Sequence, residues 1–305
     1  MNFDAVALFG PTGVGKTALS IELAKNIGEI VSVDSMQVYK QMDIGTAKPS
    51  IEERKGIKHH LIDIRYPNEG FSTGDFVREA TKSIDDIIKR GNIPFLVGGT
   101  GLYFNSLLNG ISEVPQSDPV IREELNNRHL NGGLYQLRKE LEQIDNIYAA
   151  KIHPNDKQRT LRALEVYYTT GNNISFYHNT GIKPSPYKFL VIGLSCEREI
   201  LYQRINKRVE LMIEQGFINE VKTLLANGYT PDSPGLSAIG YHELTEYING
   251  LLTLDNAIDQ IKKNTRRYAK RQFTWFNKNS GVNWFSANNI DLIKIFVETN
   301  LNSKQ

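Results

Sequence analysis

The sequence predicts an α/β protein: a parallel sheet flanked by helices and interrupted by a helical insertion. Three observations carry that expectation. The first is Gly10-Pro11-Thr12-Gly13-Val14-Gly15-Lys16-Thr17, which fits G-x-x-x-x-G-K-[ST], the phosphate-cradling P-loop. It stands between the apolar run Ala5-Val6-Ala7-Leu8-Phe9 and a segment with Leu19, Leu23 and Ala24 at helical spacing. Strand, glycine-rich turn and helix form the P-loop NTPase-like context that the motif needs. The second is that strand and helix patterns keep alternating, as in parallel βαβ units. The third is that the alternation stops over 115–186, where several helical patterns and no convincing strand occur.

Each element has its origin in local chemistry. After the first helix, Glu29-Ile30-Val31-Ser32-Val33 is a β-branched strand that ends in Asp34. Ligands collect beyond the carboxyl ends of such strands, so Asp34 is expected on the same rim as the P-loop. Gly45 and Pro49 mark a loop. His59-His60-Leu61-Ile62-Asp63-Ile64 reads as another strand, with Asp63 inside it. Phe71-Ser72-Thr73-Gly74-Asp75 opens a helix through Arg90, stopped by Gly91. The fourth strand, Ile93-Pro94-Phe95-Leu96-Val97, runs into Gly98-Gly99-Thr100-Gly101, a second glycine-rich turn able to bring N–H groups and the Thr100 hydroxyl to the rim.

Within the insertion, helices are expected over 119–130, 134–144 and 156–169, closed by Pro184 and Pro186. The domain boundaries read as a core of 1–114 and 187–305 around an insertion of 115–186. Lys188-Phe189-Leu190-Val191-Ile192-Gly193-Leu194 resumes the strand pattern. A helix over 197–215 carries Arg198, Arg204 and Arg208, the last two sharing one face. Further helices are expected over 219–226, 241–248 and 254–275. Val282-Asn283-Trp284-Phe285 is read as a last strand, followed by a helix from Ile290 and a polar tail.

Composition narrows the class. With 40% hydrophobic and 23% charged residues over 305 positions, the chain reads as an ordinary soluble globular protein. A single cysteine, Cys196, excludes an intramolecular disulfide and suits a reducing cytoplasm. No signal peptide is expected, nor a membrane-spanning run of roughly 18 apolar residues. The net charge of +2 says little, but residues 262–278 hold seven basic residues and no acidic one. They are Lys262, Lys263, Arg266, Arg267, Lys270, Arg271 and Lys278, interleaved with Tyr268, Phe273, Trp275 and Phe276. This stripe is either a footprint for a phosphate backbone or the solvated face of a helix with an apolar side.

The rim offers two kinds of chemistry. Lys16 and the loop N–H groups stabilise phosphate oxygens, and the Thr17 hydroxyl is placed to hold Mg²⁺, which prefers phosphates and a few protein oxygens. A phosphoryl group in transfer or a departing diphosphate would both be served. Asp34 reads as a magnesium partner, a general base or a turn residue. The arginines after Cys196 read as a phosphate clamp or as salt-bridge partners. His59, His60 and His153 lack metal-ligand company, so no zinc site is assigned. Two functions stay open: an ATP-dependent small-molecule or nucleotide kinase with a helical lid, or an enzyme that uses diphosphate as leaving group and acts on a nucleic acid.

Taken in order, several motifs resemble those of the tRNA dimethylallyltransferases, also called tRNA isopentenyltransferases. They are the P-loop, Asp34-Ser35-Met36-Gln37-Val38-Tyr39, Asp43-Ile44-Gly45-Thr46-Ala47-Lys48-Pro49, Gly98-Gly99-Thr100-Gly101-Leu102-Tyr103, Ala238-Ile239-Gly240-Tyr241 and Lys270-Arg271-Gln272-Phe273-Thr274-Trp275-Phe276. The resemblance extends to about residue 285, and the length without a zinc-finger tail is similar to that of bacterial members. It implies transfer of a dimethylallyl group from dimethylallyl diphosphate to N6 of the adenosine just 3′ of the tRNA anticodon, position 37.

By the same resemblance, Gly10, Pro11, Thr12, Gly13, Val14, Gly15, Lys16 and Thr17 would hold the diphosphate, with Mg²⁺ at Thr17 and Arg208 neutralising the leaving group. Asp34 would be the base and Thr100 an orienting residue. Ser35, Met36 and Gln37 would read neighbouring bases after the adenine flips out of its stack. Gln158, Arg159, Thr160, Leu161 and Arg162, with Ala238, Ile239, Gly240 and Tyr241, resemble tRNA-contacting segments, and the insertion would grip the anticodon stem. A cytoplasmic monomer that meets tRNA and no membrane is expected. One departure is Ser237, where some members carry arginine.

Overall fold

The computed structural model describes residues 3–116, 118–277 and 281–302. Lys278 of the basic stripe and the tail at 303–305 lie outside the described residues. The chain divides into two compact units, one of residues 1–108 with 186–305 and one of residues 109–185. From the sequence, the second is expected at 115–186.

The first unit is built on six strands: β1 (Ala5–Phe9), β2 (Gly28–Val33), β3 (His59–His60), β4 (Ile93–Gly98), β5 (Phe189–Ser195) and β6 (Asn283–Ser286). They lie in the order β3-β2-β4-β1-β5-β6, and every pairing is parallel. All five residues of β1 are buried, as expected for a parallel strand covered on both faces. Its alternation sorts the core. Val6 and Leu8 point to one face, where Leu19, Ile21 and Leu23 of α1 (Lys16–Ala24) pack. Ala5, Ala7 and Phe9 point to the other, against Phe76, Ala80 and Ile84 of α2 (Thr73–Lys89) and Phe104 of α3 (Gly101–Asn109). The N-cap of α2 is a reciprocal Ser72–Asp75 capping box, which satisfies N–H groups of the first turn.

The strand expected over His59 to Ile64 stops at His60. Leu61 and Asp63 take φ values of 60° and 58°, which no extended strand accommodates. The chain turns there to hydrogen-bond the loop beside it: Asp63 N–H donates to Gln37 O and Ile64 N–H to Val38 O.

The unit of residues 109–185 is helical, with α4 (Pro119–Ile144), α5 (Asn146–Lys151), α6 (Lys157–Thr170) and α7 (Ile174–Asn179). Helix α4 is broken at Gly133, where φ is 75° and ψ 171°, so it carries the two segments expected over 119–130 and 134–144. The short α5 and α7 were not expected. Six residues offer too little periodicity to read, and both are set by Asx caps, Asp145 on Tyr148 N–H and Asn173 on Phe176 N–H. Leu125, Leu137, Leu141, Leu161 and Leu164 form the core.

The remaining helices belong to the first unit: α8 (Arg198–Glu214), α9 (Phe217–Ala226), α10 (Tyr241–Ile248), α11 (Leu254–Phe276) and α12 (Ile290–Asn302). Among the described residues no helix is long and apolar enough to cross a membrane. Helix α11 feeds both faces of the sheet, Ala269 into one core and Phe276 into the other. Phe276 stacks on Phe9 with ring centroids 4.1 Å apart and meets Phe104 edge-on. Phe276→Ala is expected to lower the unfolding free energy by about 3–5 kcal/mol, measurable by urea denaturation.

Candidate active site

The P-loop leaves β1 at Gly10 and enters α1 at Lys16. Gly15, the N-cap, has φ 106°, a left-handed conformation that a side chain would strain. Thr12 N–H donates to Gln272 and Val14 N–H to Pro11 O. Among the described residues the N–H groups of Gly13, Gly15, Lys16 and Thr17 find no acceptor. Four unsatisfied donors at a helix N-terminus are what an anionic phosphate requires. Lys16 Nζ folds back on Gly10 O at 2.8 Å and Pro11 O at 2.9 Å. Burial pulls its pKa down to about 7, with Asp34 opposing that fall and Arg208 adding to it. Thr17 is exposed at the first turn. Val14 is not part of the open surface: its side chain packs in the core beside Leu8.

Asp34 follows β2 on the same rim. Its Oδ1 accepts N–H groups from Met36 at 2.8 Å and Gln37 at 3.3 Å, so the turn role and an outward-facing carboxylate coexist in one residue. The neighbouring turn is stitched to it: Gly99 and Thr100 N–H both donate to Val33 O at 3.2 Å, and Ser35 N–H donates to Thr100 Oγ1 at 3.1 Å. Thr100 thereby holds the backbone next to Asp34. Gln37 uses its amide within the loop, with Ser32 Oγ donating to its Oε1 at 3.0 Å.

Two cavities open from this rim. One, of about 480 Å³, is bounded by the P-loop, Lys16 and Thr17. The other, of about 320 Å³, has apolar walls including Met36, Ile205, Val209, Met212, Phe217 and Ile239. Thr12, Asp34, Arg208 and Tyr268 line both. The arginines of α8 separate here. Arg208 is half-buried at the junction, whereas Arg204 is exposed and lines neither cavity. Burial lowers the Arg208 pKa, against the pull of Glu53, and no hydrogen bond or ion pair to a described residue engages the guanidinium. A cation kept desolvated and unpaired is poised for an anion.

The wall at 36–49 is held by two charged side chains, one buried and one half-buried. Lys48, with a side chain 3% exposed, reaches Asp43 and Asp63 at 2.6 Å each and donates to Tyr39 O at 2.8 Å. Glu220 of α9 accepts N–H groups from Asp43, Ile44 and Gly45 and the Tyr241 hydroxyl, at 2.6–3.2 Å.

These contacts and the burial of neighbouring residues show where the segments expected at the tRNA lie. Tyr241 is fully buried against Phe217, and its hydroxyl serves Glu220. Gly240 N–H donates to buried Glu243. Ala238 and Ile239 line the apolar cavity, as does Ser237. In the helical unit Gln158 and Arg159 are exposed, but Thr160 and Leu161 lie in the core. Arg162 is half-buried, 3.4 Å from buried Glu165 and bonded to Pro115 O. The basic stripe divides residue by residue: Lys262 pairs with Glu210 and Arg266 with Asn206, while Lys263, Arg267, Lys270 and Arg271 are exposed. His60 bonds to buried Glu29, and His59 to Ile57 O. Among the described residues no cluster of His, Cys, Asp and Glu could hold a metal.

The sequence reading missed Tyr268 and Gln272 as site residues. Both are polar side chains on the inward stripe of α11, one turn apart between Ile261 and Phe276, and that misplacement on an apolar face was the available signal. Burial raises the Tyr268 pKa to about 12, Asp34 adding to the rise and Thr100, Arg271 and Gln272 opposing it.

A family model described as IPP transferase matches residues 37–279. The tRNA dimethylallyltransferase 2 of Geotalea uraniireducens (strain Rf4) is 50% identical over 281 residues, covering 92% of this chain and 91% of that protein. The crystal structure of the full-length tRNA isopentenylpyrophosphate transferase from Bacillus halodurans is 45% identical, covers 97% of this chain and 96% of its own, and has a TM-score of 0.71. A eukaryotic dimethylallyltransferase acting on tRNA, 32% identical, covers 97% of this chain and 77% of its own with a TM-score of 0.81.

Phosphate oxygens beside Lys16 favour its charged form, so binding an anion raises a pKa that burial holds at about 7. Inorganic diphosphate is therefore expected to bind with uptake of a proton at Lys16 at about pH 8 and with none there at about pH 6. Calorimetry in buffers of different ionisation enthalpy measures this, and Lys16→Met is expected to abolish the difference.

Proposed function

This chain belongs to the IPP transferase family, and on that premise we propose that it transfers a dimethylallyl group from dimethylallyl diphosphate to N6 of adenosine 37 in tRNA. The observation that carries the reading is the junction of the two cavities. One cavity has unsatisfied N–H donors and a lysine suited to diphosphate, the other apolar walls suited to a flat base or a prenyl chain, and Asp34 and Arg208 belong to both.

The chemistry rests on those groups. The N6 lone pair forms a bond to C1 of the dimethylallyl group as the C1–O bond breaks, and that bond's electrons leave with the diphosphate. The exocyclic amine is a weak nucleophile because its lone pair is delocalised into the purine, so its proton must go to a base. Asp34 has that role: Oδ1 is fixed by two N–H groups, and the carboxylate borders both cavities. Lys16, the loop N–H groups and Arg208 take up charge on the departing diphosphate. Mg²⁺ bound at the Thr17 hydroxyl would neutralise phosphate oxygens, and that exposed hydroxyl has no competing contact among the described residues. Thr100 acts through Ser35, keeping the Asp34 turn in place.

For the tRNA, the exposed Lys263, Arg267, Lys270 and Arg271 supply phosphate contacts. The helical unit, with Gln158 and Arg159 outward, grips the anticodon stem. No observation favours the ATP-dependent kinase reading.

Incubation with dimethylallyl diphosphate, Mg²⁺ and unmodified tRNA is expected to add one five-carbon unit to adenosine, read by mass spectrometry of the nucleosides. No such gain would reject the assignment. Asp34→Asn keeps an acceptor for the Met36 and Gln37 N–H groups but not the basic oxygen. It is expected to lose at least about a hundredfold in transfer rate with tRNA binding retained. Arg208→Ala is expected to raise the KM for dimethylallyl diphosphate and leave the tRNA affinity unchanged, by filter binding. The tRNA affinity itself should fall steeply with salt.

A further inference from the structure

We infer that Gln272 is a positioning residue that sets the width and rigidity of the diphosphate site by bridging the P-loop to the β4–α3 turn. The inference rests on the function proposed above. Gln272 Oε1 accepts the Thr12 N–H at 2.9 Å, and its Nε2 donates to Gly99 O at 2.8 Å. The side chain is 6% exposed. One end faces an N–H and the other a carbonyl, so a flipped amide would oppose donor to donor and acceptor to acceptor. Its orientation is therefore fixed, and with it the separation of two backbone segments that leave adjacent strands, paired at Phe9 and Gly98.

The close fit is mutual. A Cβ on Gly99 would lie 2.2 Å from Gln272 Nε2, so the glycine admits the bridge. The two anchored residues also matter. Thr12 immediately precedes Gly13, whose N–H finds no acceptor among the described residues, while its own N–H is taken by the bridge. Gly99 precedes Thr100, which holds Ser35 beside Asp34. A single buried amide thus ties the diphosphate cradle to the turn that steadies the base. The helix that supplies it presents Lys263, Arg267 and Lys270 on its outer face.

The test separates positioning from mere folding. Gln272→Met fills the same space without either hydrogen bond. Gln272→Asn keeps the amide but is one carbon too short to span both anchors. The affinity for inorganic diphosphate with Mg²⁺ is measured by calorimetry, and tRNA affinity by filter binding, on protein shown folded by urea unfolding. Both variants are expected to lose about fivefold or more in diphosphate affinity, the scale of one or two hydrogen bonds, with the KM for dimethylallyl diphosphate rising in parallel and tRNA affinity unchanged. If Gln272→Met does not fold, Gln272→Asn decides alone. Wild-type diphosphate affinity in Gln272→Asn, or equal losses for diphosphate and tRNA, would overturn the inference. A wild-type protein that binds diphosphate but transfers no prenyl group would instead sink the proposed function and leave the bridge intact.

Discussion

The site depends on three parallel strands ending in register. Phe9 of β1 and Val33 of β2 both pair with Gly98 of β4. The segments that leave these strands therefore emerge at one rim: the P-loop, Asp34 and the turn of Gly99 and Thr100. Parallel ladders impose this because every strand points the same way. Positions 10–17, 34 and 98–101 become neighbours through the sheet's hydrogen bonds alone. The side chains then only refine a proximity that the backbone has created.

Refinement takes the form of buried or half-buried polar groups that join backbone segments. Gln272 joins the P-loop to the β4–α3 turn, Glu220 gathers three N–H groups of the 43–45 loop, and Lys48 closes that loop on Asp43 and Asp63. An unpaired buried charge or amide is costly, so each position tolerates few alternatives. At the cavity junction two charged groups lack a carboxylate partner among the described residues. Lys16 meets only carbonyl oxygens, and Arg208 is partly buried with no ion pair to a described residue. The contrast between charges paired with carboxylates and these two at the cavity junction is the physical basis on which Lys16 and Arg208 are proposed to meet an anion.

Much of this was legible in the residue order. The P-loop, the strand before it and the helix after it form a local unit whose spacing encodes its geometry. Asp34 on the rim followed from the parallel βαβ expectation. Helix bounds were read closely where caps and glycines punctuate the chain, as at Ser72, Gly91 and Tyr241. The failures share a cause. The strand over His59 to Ile64 was cut short by left-handed Leu61 and Asp63, which answer to a loop distant in sequence. Burial likewise depends on distant packing: Tyr241, Thr160 and Leu161, in segments the resemblance places at the tRNA, are all buried.

By itself the sequence determined the α/β class, the glycine-rich strand-to-helix turn at 10–17, the helical insertion and the acidic strand end, because each is encoded in contiguous residues with a fixed periodicity or motif. Spacing left Arg204 and Arg208 level and only the resemblance favoured Arg208; tertiary structure decided that Arg208 lines the junction, which half of the basic stripe pairs inward, and that Tyr268 and Gln272 line the cavities. Those distinctions depend on how α8 and α11 rotate against the sheet. That rotation is set by packing among segments up to 260 residues apart, and local spacing does not record it.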